Sequence, residues 1–155
     1  IQMSRSTPHT VYQGIYKSAT SATLQPYPIS QFSADMVWIK GRSDAGESIM
    51  VNKIRGATNV LTPDSDAAEF EDTSAVTAFA TNGFSLGIGG SRNDSNDIGK
   101  KYIAHNFLAG GGSTSTPSGS SGISSLTVST STTAGFSIGT FTVTTWSILT
   151  PYKSM

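Results

Sequence analysis

The sequence contains no cysteine and few charged residues. Without cysteine there is no disulfide framework and no thiolate metal site, so stability must come from core burial or from packing against other chains. Charged residues make up 13% of the chain and the formal net charge is +0. This balance provides no basic field for a phosphate backbone, and we expect no nucleic-acid partner.

Long apolar runs are also missing. No stretch approaches the roughly 18 consecutive apolar residues that cross a bilayer. The first residues, Ile1-Gln-Met-Ser-Arg5, lack the apolar core of a signal peptide. We therefore expect no membrane insertion. A start at Ile1 leaves open both a processed product and a segment of a longer protein.

Serine, threonine and glycine are abundant instead. Threonine is β-branched and suits half-exposed strands, whereas serine and glycine suit the turns between strands. Short β-type runs recur with turn signals between them: Val11 to Lys17, Met36 to Lys40, Ser48 to Ile54, Ala75 to Ala80, Phe84 to Ile88 and Lys101 to Leu108. This spacing predicts an all-β sandwich or barrel.

The run Asp35 to Lys40 is almost continuously apolar, which is typical of a strand covered on both faces. It places Trp38 in or beside the core. Phe84 and Phe107 are also expected in the core. The turn Ser43 to Glu47 then predicts a hairpin with the alternating segment Ser48 to Ile54.

The most helix-like segment is Pro63 to Phe79, where a short helical turn is compatible with several alanines. Its acidic residues are Asp64, Asp66, Glu69, Glu71 and Asp72. Catalytic carboxylate pairs need partial burial and separated pKa values. Charge runs are usually solvated faces, and we interpret this cluster as one.

Residues 109–125 are rich in Gly, Ser and Thr, which is typical of a flexible linker or a long surface loop. Beyond them, Leu126 to Thr130 and Phe136 to Val143 alternate apolar with small polar residues, the pattern of strands with one wet face. This C-terminal segment is too apolar to remain in water and too short to fold alone. We expect it to complete a sheet, in its own domain or in a neighbouring copy.

An internal echo links Thr81-Asn-Gly-Phe-Ser-Leu-Gly87 with Thr133-Ala-Gly-Phe-Ser-Ile-Gly139. Two occurrences do not make a solenoid. Each copy predicts a glycine at a turn and a phenylalanine in the core of the strand that follows.

Several motifs in a fixed order carry a family resemblance. They are Phe32-Ser-Ala-Asp-Met-Val-Trp-Ile-Lys-Gly-Arg-Ser43, Ile54-Arg-Gly-Ala57, Val60-Leu-Thr62, Thr81-Asn-Gly-Phe-Ser-Leu-Gly87 and Tyr102-Ile-Ala-His-Asn-Phe107. Over about residues 10 to 112, the sequence resembles the lectin-like, concanavalin-type jelly-roll domain of tailed-phage structural proteins. That family has a "PDLVWIKNRS"-like strand, a "RGA…L" strand, a "GFSLG" strand and a closing "YVAWNWKAGG" strand.

The closing strand departs from the family, because His105 and Phe107 stand where the family usually has tryptophans. Thr133 to Thr142 resembles the opening strand of a further tandem copy, yet the sequence given holds no such copy. The resemblance implies a jelly-roll sandwich used for sugar binding, for glycoside hydrolysis or for assembly alone.

The sequence holds few side chains suited to catalysis, sugar binding or metal binding. The two histidines, His9 and His105, lie in no recognisable catalytic setting, and we predict no catalytic residue.

Sugar binding needs exposed aromatic side chains. The candidates are Tyr12, Tyr16, Tyr27 and Tyr102, and the alternative is that these are core or interface tyrosines. Calcium is the one candidate cofactor, with Asn93, Asp94 and Asp97 as candidate ligands and Ser95 beside them; a polar turn without metal is the alternative.

Together these features predict four segments: an N-terminal arm over 1–9, a jelly-roll β-sandwich over 10–108, a linker over 109–125 and a C-terminal β segment over 126–155, within or between subunits. The expected function is a non-enzymatic virion surface protein, such as a tail fibre, spike or capsid decoration. Its expected partners are copies of itself and other virion proteins. A carbohydrate-binding receptor module that holds a host glycan is the alternative, and a polysaccharide depolymerase with two facing carboxylates is a third.

Overall fold

The computed structural model describes residues 32–43, 45–87, 95–116 and 122–144, and the backbone alone of 11–17 and 25–27. The described strands are β1 (Val11–Lys17), β2 (Gln25–Tyr27), β3 (Met36–Gly41), β4 (Ile49–Asn52), β5 (Gly56–Leu61), β6 (Phe70–Glu71), β7 (Val76–Ala80), β8 (Gly83–Leu86), β9 (Lys101–Phe107), β10 (Ile123–Ser131) and β11 (Phe136–Val143). A single 3-10 turn follows β9 at Gly110–Gly112. The predicted all-β class is confirmed.

Every strand pairing is antiparallel, and the strands form three sheets. The large sheet has the order β1-β9-β3-β4-β5-β6, the small sheet β2-β8-β7, and β10 and β11 form a separate hairpin. The predicted pairing of the Met36 strand with the Ile49 strand is present, with Val37 opposite Val51.

The hydrophobic core lies between the large and small sheets. The large sheet contributes buried side chains from β3, β4, β5 and β9, and the small sheet contributes Val76, Phe84 and Leu86. Phe84 and Tyr102 are the largest fully buried side chains. Phe84 therefore lies in the core, where the sequence analysis places it.

Trp38 points away from this core, and the prediction that it belongs there is wrong. Its neighbours Val37 and Ile39 are 0% and 1% exposed, whereas Trp38 is 39% exposed. Successive side chains of a strand alternate between its two faces, so the unbroken apolar run conceals one inward and one outward set. Phe107 is half-buried on the same outer face, opposite Met36 in the register, and is likewise outside the core.

The segment Pro63 to Phe79 contains no helical turn in the structure. It holds two turns and the strands β6 and β7. Asp72 sets the second turn, because its Oδ1 accepts hydrogen bonds from the Ser74 N–H at 2.8 Å and from the Ala75 N–H at 3.2 Å. An aspartate that binds the backbone ahead of it favours a turn over a helix.

The C-terminal strands pair with each other rather than with either sheet of the sandwich. Their register runs from Ile123 opposite Val143 to Ser131 opposite Phe136. Of the two alternatives, the described strands do not complete one of the chain's own sheets, and completion of a sheet in a neighbouring copy stays a prediction. β10 also begins at Ile123, within the segment 109–125 predicted as a linker, and Ala109 is fully buried.

Both copies of the internal echo follow a tight turn. Gly83 begins β8 and Gly135 lies in the turn before β11, with a positive φ of 65°. Phe84 fills the core, whereas Phe136 is half-buried and packs outside it. The shared sequence thus marks a turn followed by a strand in both places, with the phenylalanine at two different depths.

Candidate functional site

A buried charged pair joins the sandwich to the segment that follows it. Asp35 is 1% exposed at the start of β3, and its Oδ1 lies 2.8 Å from Nζ of Lys53. The second carboxylate oxygen accepts hydrogen bonds from the backbone N–H groups of Ala109 at 2.5 Å and Gly111 at 2.9 Å. We call these four residues the Asp35 latch.

The Lys53 side chain has further contacts within the latch. Its ammonium also donates to Ser33 Oγ at 2.9 Å and lies 5.8 Å from the ring centroid of Phe79. A Cβ on Gly112 would come within 3.2 Å of the Lys53 side chain, so the glycine turn lies directly against the lysine stem. These donors occupy both oxygens of Asp35, and the arrangement suits a structural clamp rather than a general base.

The latch fixes the C-terminal hairpin as well. The Ser129 hydroxyl donates to the carbonyl of Ala109, the residue held by Asp35. Phe136 stacks on Phe107, with ring centroids 5.2 Å apart and planes inclined by 19°. Because Phe107 lies on the outer face of the large sheet, the hairpin packs against that face.

Close backbone contact completes this docking. Ser115 and Val128 exchange two backbone hydrogen bonds, of 2.8 and 2.9 Å. Gly110 has a φ of 83°, and a Cβ there would lie 2.5 Å from the Thr130 carbonyl oxygen. Only glycine fits a position with this φ and this approach.

An aromatic and charged group of side chains occupies the same outer face beside the hairpin. Trp38 packs against His105, its partner in the register, with ring centroids 5.8 Å apart. Two residues further along β3, Lys40 binds Asp64 at 3.0 Å, and both of these side chains are about 40% exposed. We call these four residues the Trp38 face.

Asp64 is held ionised on this face. Its partial desolvation acts to raise the pKa, yet hydrogen bonds from Lys40 and from the backbone and hydroxyl of Ser48 lower the pKa of Asp64 to about 2. The carboxylate thus remains charged across the physiological range.

The end of the hairpin opposite its turn exposes apolar side chains. Phe141 and Val143 are each 59% exposed, and Ile123, opposite Val143, is 38% exposed. The segment 122–144 contains no Asp, Glu, Lys or Arg. We call these three residues the apolar tip.

The predicted sugar-binding tyrosines are not brought together on a described surface. Tyr102 is fully buried, and its hydroxyl accepts a hydrogen bond from the Asp97 N–H at 2.9 Å, so its assignment to an exposed platform is wrong. The side chains of Tyr12, Tyr16 and Tyr27 lie outside the described residues.

The predicted calcium ligands are described only in part. Asp97 binds Lys100 at 2.6 Å, and Asn93 and Asp94 lie outside the described residues. Within the part of the chain that the structure describes, no three His, Asp or Glu side chains cluster in a manner suited to a metal. None of the described helices is long and apolar enough to span a membrane.

Sequence reasoning missed the Asp35 latch and the outward position of Trp38. A signal for the latch was present, since Asp35 precedes an apolar strand, Lys53 follows the next strand, and three consecutive glycines follow β9. A buried carboxylate and backbone N–H groups freed by a glycine turn are natural partners.

Comparison with known proteins adds a family and no activity. No curated protein and no solved structure matches the chain. Residues 8–152 match a family described as a domain of unknown function, DUF7483, so the match extends from before β1 to beyond the hairpin. The chain therefore belongs to the DUF7483 family.

Proposed function

We propose that the chain is a non-enzymatic structural protein of a phage virion, a tail fibre, spike or capsid decoration protein that assembles with copies of itself on the particle surface. The observation that carries the proposal is the apolar tip on a hairpin fixed to the sandwich. Exposed, clustered apolar side chains in a folded protein commonly mark an interaction surface.

Most of the exposed large hydrophobic side chains of the described residues lie together on the hairpin. The exposed large hydrophobic residues of the described chain are Trp38, Ile98, Ile123, Phe141 and Val143. Three of these five belong to the hairpin, and they adjoin one another in its register. The stack of Phe136 on Phe107 and the bond from Ser129 to Ala109 hold the hairpin in position, so the tip is presented on a supported arm.

Electrostatics also favour association between copies. The formal net charge is +0, and the hairpin itself is uncharged. A protein without net charge has little self-repulsion to oppose association.

The virion assignment rests on the ordered motifs from Phe32 to Phe107 that resemble phage lectin-like domains. For the same reason we propose that the two sheets of the sandwich follow the jelly-roll arrangement of that group. The Asp35 latch is consistent with a structural role, because it ties strand, turn and hairpin into one unit.

The test is the solution mass of the full chain over a hundredfold range of concentration, measured by sedimentation velocity. We expect the wild type to form oligomers. The double variant Phe141→Ser with Val143→Thr should weaken their association at least tenfold. Ile98→Ser is the matched control, because Ile98 is 76% exposed and lies outside the hairpin. A strictly monomeric wild type would overturn self-assembly, and immunogold labelling of particles that encode the chain tests the virion assignment directly.

Carbohydrate binding is the second candidate, favoured by the Trp38 face. A half-exposed indole can stack on a pyranose ring, and an ionised carboxylate and an ammonium beside it can bind hydroxyl groups. A glycan array should then give signals that Trp38→Ala abolishes and that Ile98→Ser leaves intact. An array on which wild type and Trp38→Ala behave alike would remove this candidate.

A further inference from the structure

Among the described strands, only β10 pairs with β11, so the outer edge of β11 carries backbone groups open to a further strand, and the register identifies them. The Thr144 N–H donates to the Gly122 carbonyl at 3.0 Å, so the backbone at Thr144 faces β10. Successive N–H groups of a strand point to opposite sides. The odd-numbered residues of β11 therefore point away from β10.

The bridge between Ser115 and Val128, on the other side of β10, supports the same alternation of backbone directions. Val128 directs its N–H and C=O to Ser115, away from β11, and Val128 lies opposite Gly139. In an antiparallel ladder, two opposite residues of a non-hydrogen-bonded pair both direct these groups outward. The open residues are Ser137, Gly139, Phe141 and Val143, and all four residues are exposed.

This edge lacks the features that usually prevent strands from pairing. Natural edge strands are protected by charged residues, proline, bulges or short length. β11 is eight residues long and contains neither proline nor a charged residue. The irregularity in the hairpin register inserts its extra residue between Ser124 and Thr127 of β10, so β11 itself is regular.

We propose that β11 pairs antiparallel with β11 of a second copy, about a two-fold axis at Thr140, to form a continuous four-stranded sheet β10-β11-β11-β10. This inference rests on the proposed function and specifies the partner and the contact. The register centred on Thr140 pairs all four open residues of each copy. Ser137 pairs with Val143 of the second copy, and Gly139 pairs with its Phe141. Each such pair exchanges two N–H···O bonds.

The side chains suit this register. Gly139 has no side chain opposite Phe141 of the second copy, so the aromatic ring can lie across the glycine, a pairing known to stabilise sheets. The apolar side chains of the tip would lie within the joined sheet in both copies. No charged side chain of the hairpin opposes the contact.

The two-fold axis provides a direct test at Thr140. Its N–H faces β10, so the two copies of Thr140 form a non-hydrogen-bonded pair with Cα atoms about 4.5 Å apart, within the range that a disulfide spans. The chain has no cysteine, so Thr140→Cys carries a single thiol. With mild oxidant it should form a covalent dimer in more than half of the chains on a non-reducing gel.

Ser137→Cys is the matched control on the same strand. In the proposed register the two copies of residue 137 lie six residues apart along the strands, or about 20 Å. This exposed thiol should give less than a tenth of the covalent dimer formed by Thr140→Cys. Equal cross-linking of the two variants would overturn the register.

A second variant tests the backbone bonds. Gly139→Pro removes an N–H that points to the open edge, whereas Gly139→Ala retains it; a Cβ at this position meets only Thr127 O and Val128 Cγ2, each at 3.6 Å. By sedimentation velocity we expect a monomer for Gly139→Pro. Gly139→Ala should lose much less assembly, because it keeps the N–H and only places a Cβ beside the ring of Phe141. If Gly139→Pro fails to fold, as judged by circular dichroism, the cysteine pair decides alone.

The outcomes separate this inference from the proposed function. A wild type that assembles while Thr140→Cys does not cross-link and Gly139→Pro keeps its mass overturns the β11 contact and leaves assembly intact. A wild type that is monomeric at every concentration overturns both.

Discussion

The ring of Phe107 at the end of β9 stacks on the ring of Phe136 at the start of β11, with centroids 5.2 Å apart. Phe107 belongs to the large sheet and Phe136 to the hairpin, so this contact is where the two units meet. The latch at Asp35 fixes the intervening chain at Ala109. One aromatic contact and one buried ion pair thus position the surface to which we assign assembly.

Removal of the Phe136 ring should release the hairpin from the sandwich. Phe136→Ala is expected to lower the free energy of unfolding by about 1 to 3 kcal/mol, because the ring is half-buried and stacked. Hydrogen exchange of β10 and β11 should accelerate more than that of β3 and β9. Ile98→Ala is the control, since that side chain is 76% exposed, lies outside the hairpin and should cost about 0.5 kcal/mol or less. Equal exchange in both variants would contradict the docking role of Phe136.

Removal of one charge of the Asp35–Lys53 pair should destabilise the fold more than removal of both charges. Asp35→Asn leaves the Lys53 ammonium, whose side chain is 20% exposed, without its counter-ion, and should cost about 3 kcal/mol in urea unfolding. The double variant Asp35→Asn with Lys53→Met removes the unpaired charge and should recover at least about 1 kcal/mol. Strictly additive single and double effects would show that the two side chains are not coupled.

The strand positions could be predicted from the sequence where alternation and turn signals coincide. Val11 to Lys17 and Phe136 to Val143 have the predicted bounds. β2 and β6 were missed, because strands of three and two residues carry no measurable periodicity. Their pairing depends on neighbours that are distant in the sequence.

The face of the sheet on which Trp38 and Tyr102 lie could not be predicted, although the buried position of Phe84 was. Trp38 and Tyr102 exchange their expected roles: the tryptophan lies on the surface and the tyrosine in the core. A shift of one residue in a strand reverses every side chain, and the register of β3 with β9 is set by long-range packing. For the same reason the candidate Trp38 face could not be predicted. The local sequence also does not distinguish a hairpin whose strands pair only with each other from strands that join a larger sheet.

Acid should weaken the attachment of the Asp64 loop. The pKa of Asp64 lies at about 2 in the folded chain, below the value of 3.8 expected without these contacts. Its contribution is therefore fully present above about pH 4 and is lost as the pH falls towards 2. Melting temperatures between pH 2 and 5 should fall less steeply for Asp64→Asn than for wild type, whereas Asp66→Asn, an exposed control in the same loop, should follow the wild-type slope. Parallel curves for Asp64→Asn and wild type would contradict the pKa assignment.

Two of the three aromatic residues predicted to lie in the core, Trp38 and Phe84, should differ sharply in their effect on stability. Trp38→Ala removes a side chain that is 39% exposed and should cost about 1 to 2 kcal/mol, since part of the ring already contacts water. Phe84→Ala creates a cavity at a fully buried position and should cost about 3 to 5 kcal/mol. Urea unfolding followed by circular dichroism measures both, and it avoids the change in fluorescence that loss of a tryptophan causes. A Trp38→Ala cost as large as that of Phe84→Ala would return Trp38 to the core and remove the exposed indole on which the glycan-binding candidate depends.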